Sequence, residues 1–260
     1  MTGLGALNWA ALDATLLMPP LLAGILILAT HVPLGQRVLA RGIIFLDLAV
    51  AQIAVLGVIA AHTLGWDTQG WQTQLAAASA ALLGAALLAG CERRWPEIQE
   101  ALIGSTFVVA ASLAVLLLSR DPQGGEHLSE LLTGQILWVS STQLIYLAVL
   151  TAVLLAIWGA LRERIGAMGF YLIFALAITA SVQLIGVYLV FASLILPALA
   201  TRGLTGLRAL GWGVALGSLA YALGLIVSAL ADFPGGPSIV LALAVMAVLA
   251  GKMRSRISRA

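Results

Sequence analysis

The chain has 260 residues, of which 62% are hydrophobic and only 9% are charged. A soluble domain carries about 25% charged residues, so this composition excludes a soluble enzyme domain, a disordered chain and a disulfide-built secreted module. The net charge of +2 comes from scattered basic residues and gives no sign of nucleic-acid binding. We therefore predict a polytopic membrane protein.

Eight stretches are long and apolar enough to cross a bilayer as helices, which takes about 20 residues each. They occupy residues 14–34, 42–64, 72–91, 99–119, 141–161, 170–200, 209–231 and 237–251. The connectors between them are short, so we expect an all-α bundle that forms a single transmembrane domain over residues 1–260. The N-terminus lacks a basic region and a small-residue cleavage site, so we expect its first span to remain as an anchor.

The basic residues favour one orientation, because Lys and Arg concentrate on the cytoplasmic side of inner-membrane proteins. With the loop of Arg37 and Arg41 in the cytoplasm, 12 of the 13 basic residues are cytoplasmic and Arg120 alone is outside. This arrangement places the N-terminus outside and the C-terminus in the cytoplasm. It also requires residues 170–200 to begin and end on the cytoplasmic side.

That stretch is too short for two full crossings. We therefore expect a short broken or re-entrant helix pair with its break near Gly186, which makes eight to nine membrane segments in all. Non-helical backbone within a membrane is tolerated only where protein or a water-filled cavity covers it, and a transport path supplies such a cavity. The alternative is one long tilted helix, with which the basic residues no longer concentrate on the cytoplasmic side.

Small residues recur at four-residue spacing on two of the spans. Ala77, Ala81, Ala85 and Ala89 share one helix face, and Gly213 and Gly217 form a GxxxG pair. Such faces let helices approach closely, so we expect a compact bundle or a dimer contact there.

The strongest functional candidate is Asp47, in the sequence GIIFLDLAVAQIAVLG of the second span. A carboxylate within a membrane costs about 2.5–3.5 kcal/mol on insertion scales, and such residues usually face a functional cavity. The alternative is an ion pair with Arg41 near the inner boundary. Gln52 lies about 140° away around the same helix. Gln183, in the broken segment, either lines the same cavity or forms an interhelical hydrogen bond.

Glu126 and His127 are candidates in the outer segment DPQGGEHLSELLTGQILWV. Their oxygen and nitrogen ligand types suit zinc or manganese, so the pair indicates metal entry or docking unless it is only solvated. The part LLTGQILWV predicts a short helix tucked into the membrane face.

Other polar residues have structural interpretations. His31 and His62 are interpreted as residues at the membrane boundaries, and Glu97 and Glu100 as acidic residues that favour a helix N-terminus. The sequence contains neither GxxxxGK[ST] nor HExxH, so we expect this chain to bind no ATP or other cofactor itself and not to be an enzyme.

Five segments taken together resemble the permeases of the ABC-3 class of ATP-binding-cassette importers for zinc and manganese. They are ARGIIFLDLAVAQIAVLG (40–57), IQEALIG (98–104), GGEHLSELLTGQILWVS (124–140), ITASVQLIGVYLVFASLILPALAT (178–201) and DFPGGPSIV (232–240). The third segment is the most specific match, and together they cover nearly the whole chain in order.

The resemblance implies a permease of a bacterial inner membrane that forms the translocation path as a homodimer. A cytoplasmic ABC ATPase uses ATP to drive alternating access, and an extracytoplasmic binding protein delivers the metal. Asp47 matches the family's acidic residue that meets the metal, with Gln52 and Gln183 as polar lining. The segment that docks on the ATPase is then Thr201, Arg202, Gly203, Leu204, Thr205, Gly206, Leu207 and Arg208.

Two features depart from the family pattern. The family usually has a His four residues after the acidic residue, whereas this chain has Ala51 followed by Gln52. A ligand set without imidazole weakens a preference for zinc, so zinc, manganese and ferrous iron all stay open. The cytoplasmic segment before Phe170, RERIGAMG, is also shorter than is usual in the family.

Other functions also stay open. A permease for iron chelates or a vitamin needs a wide apolar path, which the buried acid Asp47 disfavours. A secondary metal transporter working alone needs its own proton-coupling groups, and the spans contain no buried acid other than Asp47 to serve as one. A membrane scaffold without transport also stays open, and it predicts that Asp47→Ala has no effect.

Overall fold

The computed structural model describes residues 12–67, 70–118, 124–161, 164 and 166–257, without the side chains of residues 127, 161 and 254–257. Its helices are α1 (Ala14–Arg41), α2 (Leu46–Thr63), α3 (Trp71–Arg94), α4 (Gln99–Leu118), α5 (Gly124–Thr133), α6 (Ser141–Leu161), α7 (Ala167–Ala200), α8 (Gly206–Ala231) and α9 (Gly235–Ile257). Single 3-10 turns lie at Pro96–Ile98 and Ile136–Trp138.

All of these helices except α5 are long and apolar enough to cross a membrane, which gives eight candidate spans in the described part of the chain. The predicted all-α membrane fold is therefore confirmed. Some boundaries differ from the prediction. The largest difference is in α1, which continues through Pro33 to Arg41 and is 28 residues long.

The described residues form two compact units. The α8–α9 unit comprises the described residues of Met1–Arg37, with Gln135–Thr151 and Ala192–Ala260. The α2–α4 unit comprises Val38–Gly134 and Ala152–Phe191. A single permease domain over the whole chain stays a prediction.

In the α2–α4 unit, α2 packs against both α3 and α4. The alanine face of α3 is fully buried at Ala77, Ala81, Ala85 and Ala89. Gly57 of α2 lies directly on the backbone of α3 at Ala76 and Ala77. The predicted small-residue face therefore serves close helix packing inside the chain.

In the α8–α9 unit, the GxxxG pair of α8 packs on α1. Gly213 lies against Val32, and Gly217 lies against Leu28. One more glycine of α8, Gly224, rests on the backbone of α9 at Ile239. These glycines thus make intrachain contacts, and larger side chains would collide with the neighbouring helices.

The predicted break in α7 is present at Gly186, whose φ of 74° and ψ of 164° are non-helical. Here the chain passes the backbone of Gly134, which has a φ of 72°. A side chain on either glycine would meet the other's backbone. Both positions therefore require glycine for conformation and for space.

The outer segment differs in part from the prediction. Its helix, α5, begins at Gly124, before LLTGQILWV, and ends at Thr133, within the first three residues of that segment. After Gly134 the chain forms only one 3-10 turn, Ile136–Trp138. The helix ends here because Gly134 takes a left-handed conformation at the contact with Gly186.

Candidate functional site

Asp47 lies in the first turn of α2, and only 1% of its surface is exposed. It is therefore at the start of the helix rather than in its middle, because α1 extends to Arg41 and the chain turns over Gly42–Phe45. Within the described part of the chain, neither of its carboxylate oxygens has a hydrogen-bond partner. A helix N-terminus favours a carboxylate, but one so buried and unpaired is costly.

The alternative partner of Asp47, Arg41, is engaged elsewhere. Its guanidinium pairs with Glu92 of α3 at 3.7 Å and lies 4.7 Å from the ring centre of Phe170. The ion pair between Asp47 and Arg41 that the sequence left open is therefore not formed.

Gln52 is the second polar residue of α2 and is 4% exposed. Its side-chain oxygen Oε1 has no hydrogen-bond partner among the described residues. Asp47 and Gln52 thus both carry unpaired buried oxygens on the same short helix, although their spacing places them on different faces.

Gln183 is half-buried in α7, in the part that precedes the break. Its Nε2 donates to the carbonyl oxygen of Thr179, one turn earlier, at 3.4 Å. This bond lies within one helix, unlike the interhelical bond considered above.

Thr179 is a further candidate that sequence reasoning missed. It is 4% exposed, and its hydroxyl Oγ1 has no hydrogen-bond partner in the described ranges. The available signal was its spacing, since Thr179 lies four residues before Gln183 and so shares its helix face.

The four path candidates, Asp47, Gln52, Thr179 and Gln183, all belong to the α2–α4 unit. Among the described residues, no three His, Cys, Asp or Glu side chains are grouped so that they could hold a metal ion.

The outer candidates lie on a helix rather than in a loop. Glu126 is exposed in the first turn of α5, and Glu130 is exposed one turn later. The backbone of residue 127 belongs to α5, but the predicted role of the His127 side chain lies outside the described residues.

The predicted coupling segment is part turn and part helix. Thr201 is buried, where its hydroxyl donates to the carbonyl of Pro197 at 2.9 Å and accepts a bond from Gln36 Nε2 at 3.3 Å. The last part of the segment, Gly206–Arg208, already forms the first turn of α8. There Leu207 is 87% exposed, which leaves an apolar side chain available to a partner.

The interpretation of His31 as a boundary residue implied a position near a helix end, but His31 does not lie there. It is fully buried within α1, where its Nδ1 is 3.0 Å from the carbonyl oxygen of Ile27. Its Nε2 has no partner among the described residues. Its position relative to the membrane boundary stays a prediction.

Comparison with protein families gives a match to the ABC 3 transport family over residues 13–168 and 160–254. Comparison with curated proteins gives no match. The fold is similar to PsaBC from Streptococcus pneumoniae in complex with a Fab, with a TM-score of 0.73, 22% identity and 90% of each chain covered. It is also similar to an inward-facing structure described as being of the metal-chelate ABC transporter type, with a TM-score of 0.66 and 17% identity over 92% of this chain and 86% of the other. The family match covers almost the entire chain, and the described residues contain eight candidate membrane spans, so the chain belongs to the ABC-3 transport family and is a membrane permease.

Proposed function

We propose that this chain is the membrane subunit of an importer that carries zinc or manganese across a bacterial inner membrane. Two copies form the translocation path, a cytoplasmic ATPase drives it, and an extracytoplasmic binding protein loads it. The observation that carries the proposal is the buried, unpaired carboxylate of Asp47. A carboxyl group held away from water without a partner is costly, and a cation that occupies the site during transport explains why it is retained.

The ligand chemistry favours manganese over zinc. The unpaired groups of the path candidates are the carboxylate of Asp47, the amide oxygen of Gln52 and the hydroxyl of Thr179. All are oxygen ligands, which suit manganese, whereas zinc binds most tightly to imidazole and thiolate ligands. The replacement of the family's usual His by Ala51 also favours manganese over zinc.

The mechanism begins outside, where the loaded binding protein docks on a surface that includes α5 with Glu126 and Glu130. The metal then passes Asp47 with Gln52, Thr179 and Gln183 as polar lining. Because a transporter must release what it binds, we expect the ion to be held weakly along this path.

The driving force enters through the segment from Thr201 to Arg208, where the ATPase docks. The exposed Leu207 fits an apolar pocket on that partner, and Gln36 ties the buried Thr201 to α1. Binding and hydrolysis of ATP would thereby move α1 and α7 and alternate access to the path. In this arrangement the N-terminus is outside and the C-terminus is in the cytoplasm.

A permease for chelated metal is the second candidate, and one of the similar structures is described as being of that type. The unpaired Asp47 favours a bare cation, because a bulky chelate already supplies its metal with ligands.

Uptake by metal-starved cells tests the proposal. The cells express this chain with its candidate ATPase and binding protein, or with an ATPase variant that does not hydrolyse ATP. We expect uptake of radiolabelled manganese that depends on hydrolysis and exceeds uptake of zinc. Uptake only of chelated metal, or none by an assembled complex, would contradict the proposal.

A further inference from the structure

The turn between α1 and α2 is held at both of its ends. At one end, Arg41 pairs with Glu92 and lies over Phe170. At the other, the backbone N–H of Phe45 donates to Glu100 Oε1 of α4 at 3.3 Å. Between these points Gly42 takes a left-handed φ of 72°, which lets the chain reverse.

The contact between Phe45 and Glu100 supplies a capping carboxylate at the start of α2. Phe45 is the N-cap residue of α2, and no side chain of its own caps the helix. Polar side chains usually provide an acceptor and a negative end charge at this point. Glu100, from a helix 55 positions away in the sequence, places a carboxylate there instead.

Glu100 is suited to this one contact. Its second oxygen, Oε2, is buried and has no hydrogen-bond partner in the described part of the chain. Its carboxylate is therefore directed at the start of α2 rather than spread over a larger network. Asp47 lies only two residues after Phe45, in the first turn that this contact fixes.

The geometry points to Glu100 as a positioning residue for Asp47. By accepting the Phe45 N–H, it fixes where α2 begins and hence where the Asp47 carboxylate stands. Glu100 itself need not touch the ion. This inference rests on the proposed function, in which Asp47 meets the metal.

Two variants of similar size separate the hydrogen bond from other effects. Glu100→Gln keeps an oxygen acceptor for Phe45 N–H and loses only the charge, whereas Glu100→Met loses the acceptor and remains compatible with burial. Glu97→Gln is a matched control, since Glu97 is exposed three residues earlier, in the 3-10 turn that precedes α4.

The test measures the position of residue 47 directly. In the complete complex in membranes, Asp47→Cys is introduced with Cys91→Ser, and its reaction rate with a small charged thiol reagent is recorded. We expect Glu100→Met to change this rate several-fold, while Glu100→Gln and Glu97→Gln leave it unchanged. A cysteine at the exposed position 126 should react equally fast in all of these backgrounds.

Uptake provides the second readout, in chains that retain Asp47. We expect Glu100→Met to lower manganese uptake by about fivefold at matched abundance, the ratio that corresponds to one ordinary hydrogen bond, with rescue by Glu100→Gln. Equal behaviour of the Met and Gln variants, or an unchanged reaction rate at position 47 in Glu100→Met, would overturn the inference. If the rate changes but Asp47→Asn transports normally, the proposed path is wrong and the contact stands.

Discussion

The two units of the chain differ in how their buried polar groups are hydrogen-bonded. In the α8–α9 unit, Ser193 and Tyr221 are hydrogen-bonded to each other at 2.7 Å, and the hydroxyls of Ser228 and Ser238 bond to nearby carbonyls. In the α2–α4 unit, Asp47, Gln52 and Thr179 have buried oxygens without partners among the described residues. The exception in the α8–α9 unit is Nε2 of His31.

This difference separates two uses of polarity inside a membrane bundle. Most buried polar groups in proteins are hydrogen-bonded, because an unpaired group costs free energy. Paired groups such as Ser193 and Tyr221 therefore contribute to packing. Unpaired groups are retained at a cost, and a transported cation explains that cost for Asp47. Substitution of a paired group should accordingly lower stability, and substitution of an unpaired group should lower transport.

The largest effect is expected at the break in α7. Gly186→Ala places a side chain at a φ of 74° and against the backbone of Gly134, so the folded structure must shift. We expect a loss of at least about 1–3 kcal/mol of stability, seen as a sharp fall in monodisperse protein after extraction in detergent. The control is Gly104→Ala in α4, where the added methyl group meets nothing within 4 Å. A normal yield of Gly186→Ala would show that the break does not depend on this contact.

A second large effect is expected at the coupling segment. Leu207→Asp puts a charge on a side chain that is 87% exposed, so the permease should fold normally. We expect several-fold less ATPase to co-purify, because an apolar contact is replaced by a charge that must lose its water. The control is Leu64→Asp, since Leu64 is also a largely exposed leucine, at 70%, and lies outside the coupling segment. Undiminished co-purification would remove Leu207 from the interface.

At Thr179 we expect a smaller fall in transport, while stability stays equal or rises. Thr179→Val keeps the shape of the side chain and removes an unpaired buried hydroxyl. We expect thermal stability to be equal or higher, since the desolvation cost disappears, while manganese uptake falls several-fold. A drop in stability together with normal uptake would assign Thr179 to packing and weaken the contrast between the units.

The smallest effect on transport is expected at Tyr221. Tyr221→Phe removes the hydrogen bond to Ser193 and leaves the ring packed against Gly24. We expect about 1 kcal/mol of lost stability and uptake within twofold of wild type. Strongly reduced uptake at wild-type stability would show that paired groups also serve the path.

The sequence predicted the spans and the break in α7 because the spans follow from a local property and the break from the distribution of charge along the chain. Apolar length identifies a membrane helix, and the distribution of basic residues required the segment around Gly186 to be interrupted. The choice of glycine there is also local, since few other residues adopt a positive φ.

The details of the site depend on contacts between distant segments, which the sequence does not display. Arg41 lies six residues from Asp47 and yet pairs with Glu92 on another helix. Glu100 was interpreted as an acid at the start of its own helix, and it also caps α2 through Phe45. Thr179 was missed because a buried threonine usually bonds within its own helix, as the hydroxyl of Thr106 does with the carbonyl of Leu102.

The most direct test is uptake of radiolabelled manganese by complexes carrying Asp47→Asn beside Tyr221→Phe, at matched membrane abundance. Asn has nearly the volume of Asp, so the first variant removes the unpaired carboxyl group with little change in packing. We expect Asp47→Asn to lower uptake by about tenfold or more without loss of thermal stability, since an unpaired buried carboxyl group is already costly in the folded protein, and Tyr221→Phe to transport normally. Uptake by Asp47→Asn within twofold of wild type would contradict the role of this carboxylate in the metal path.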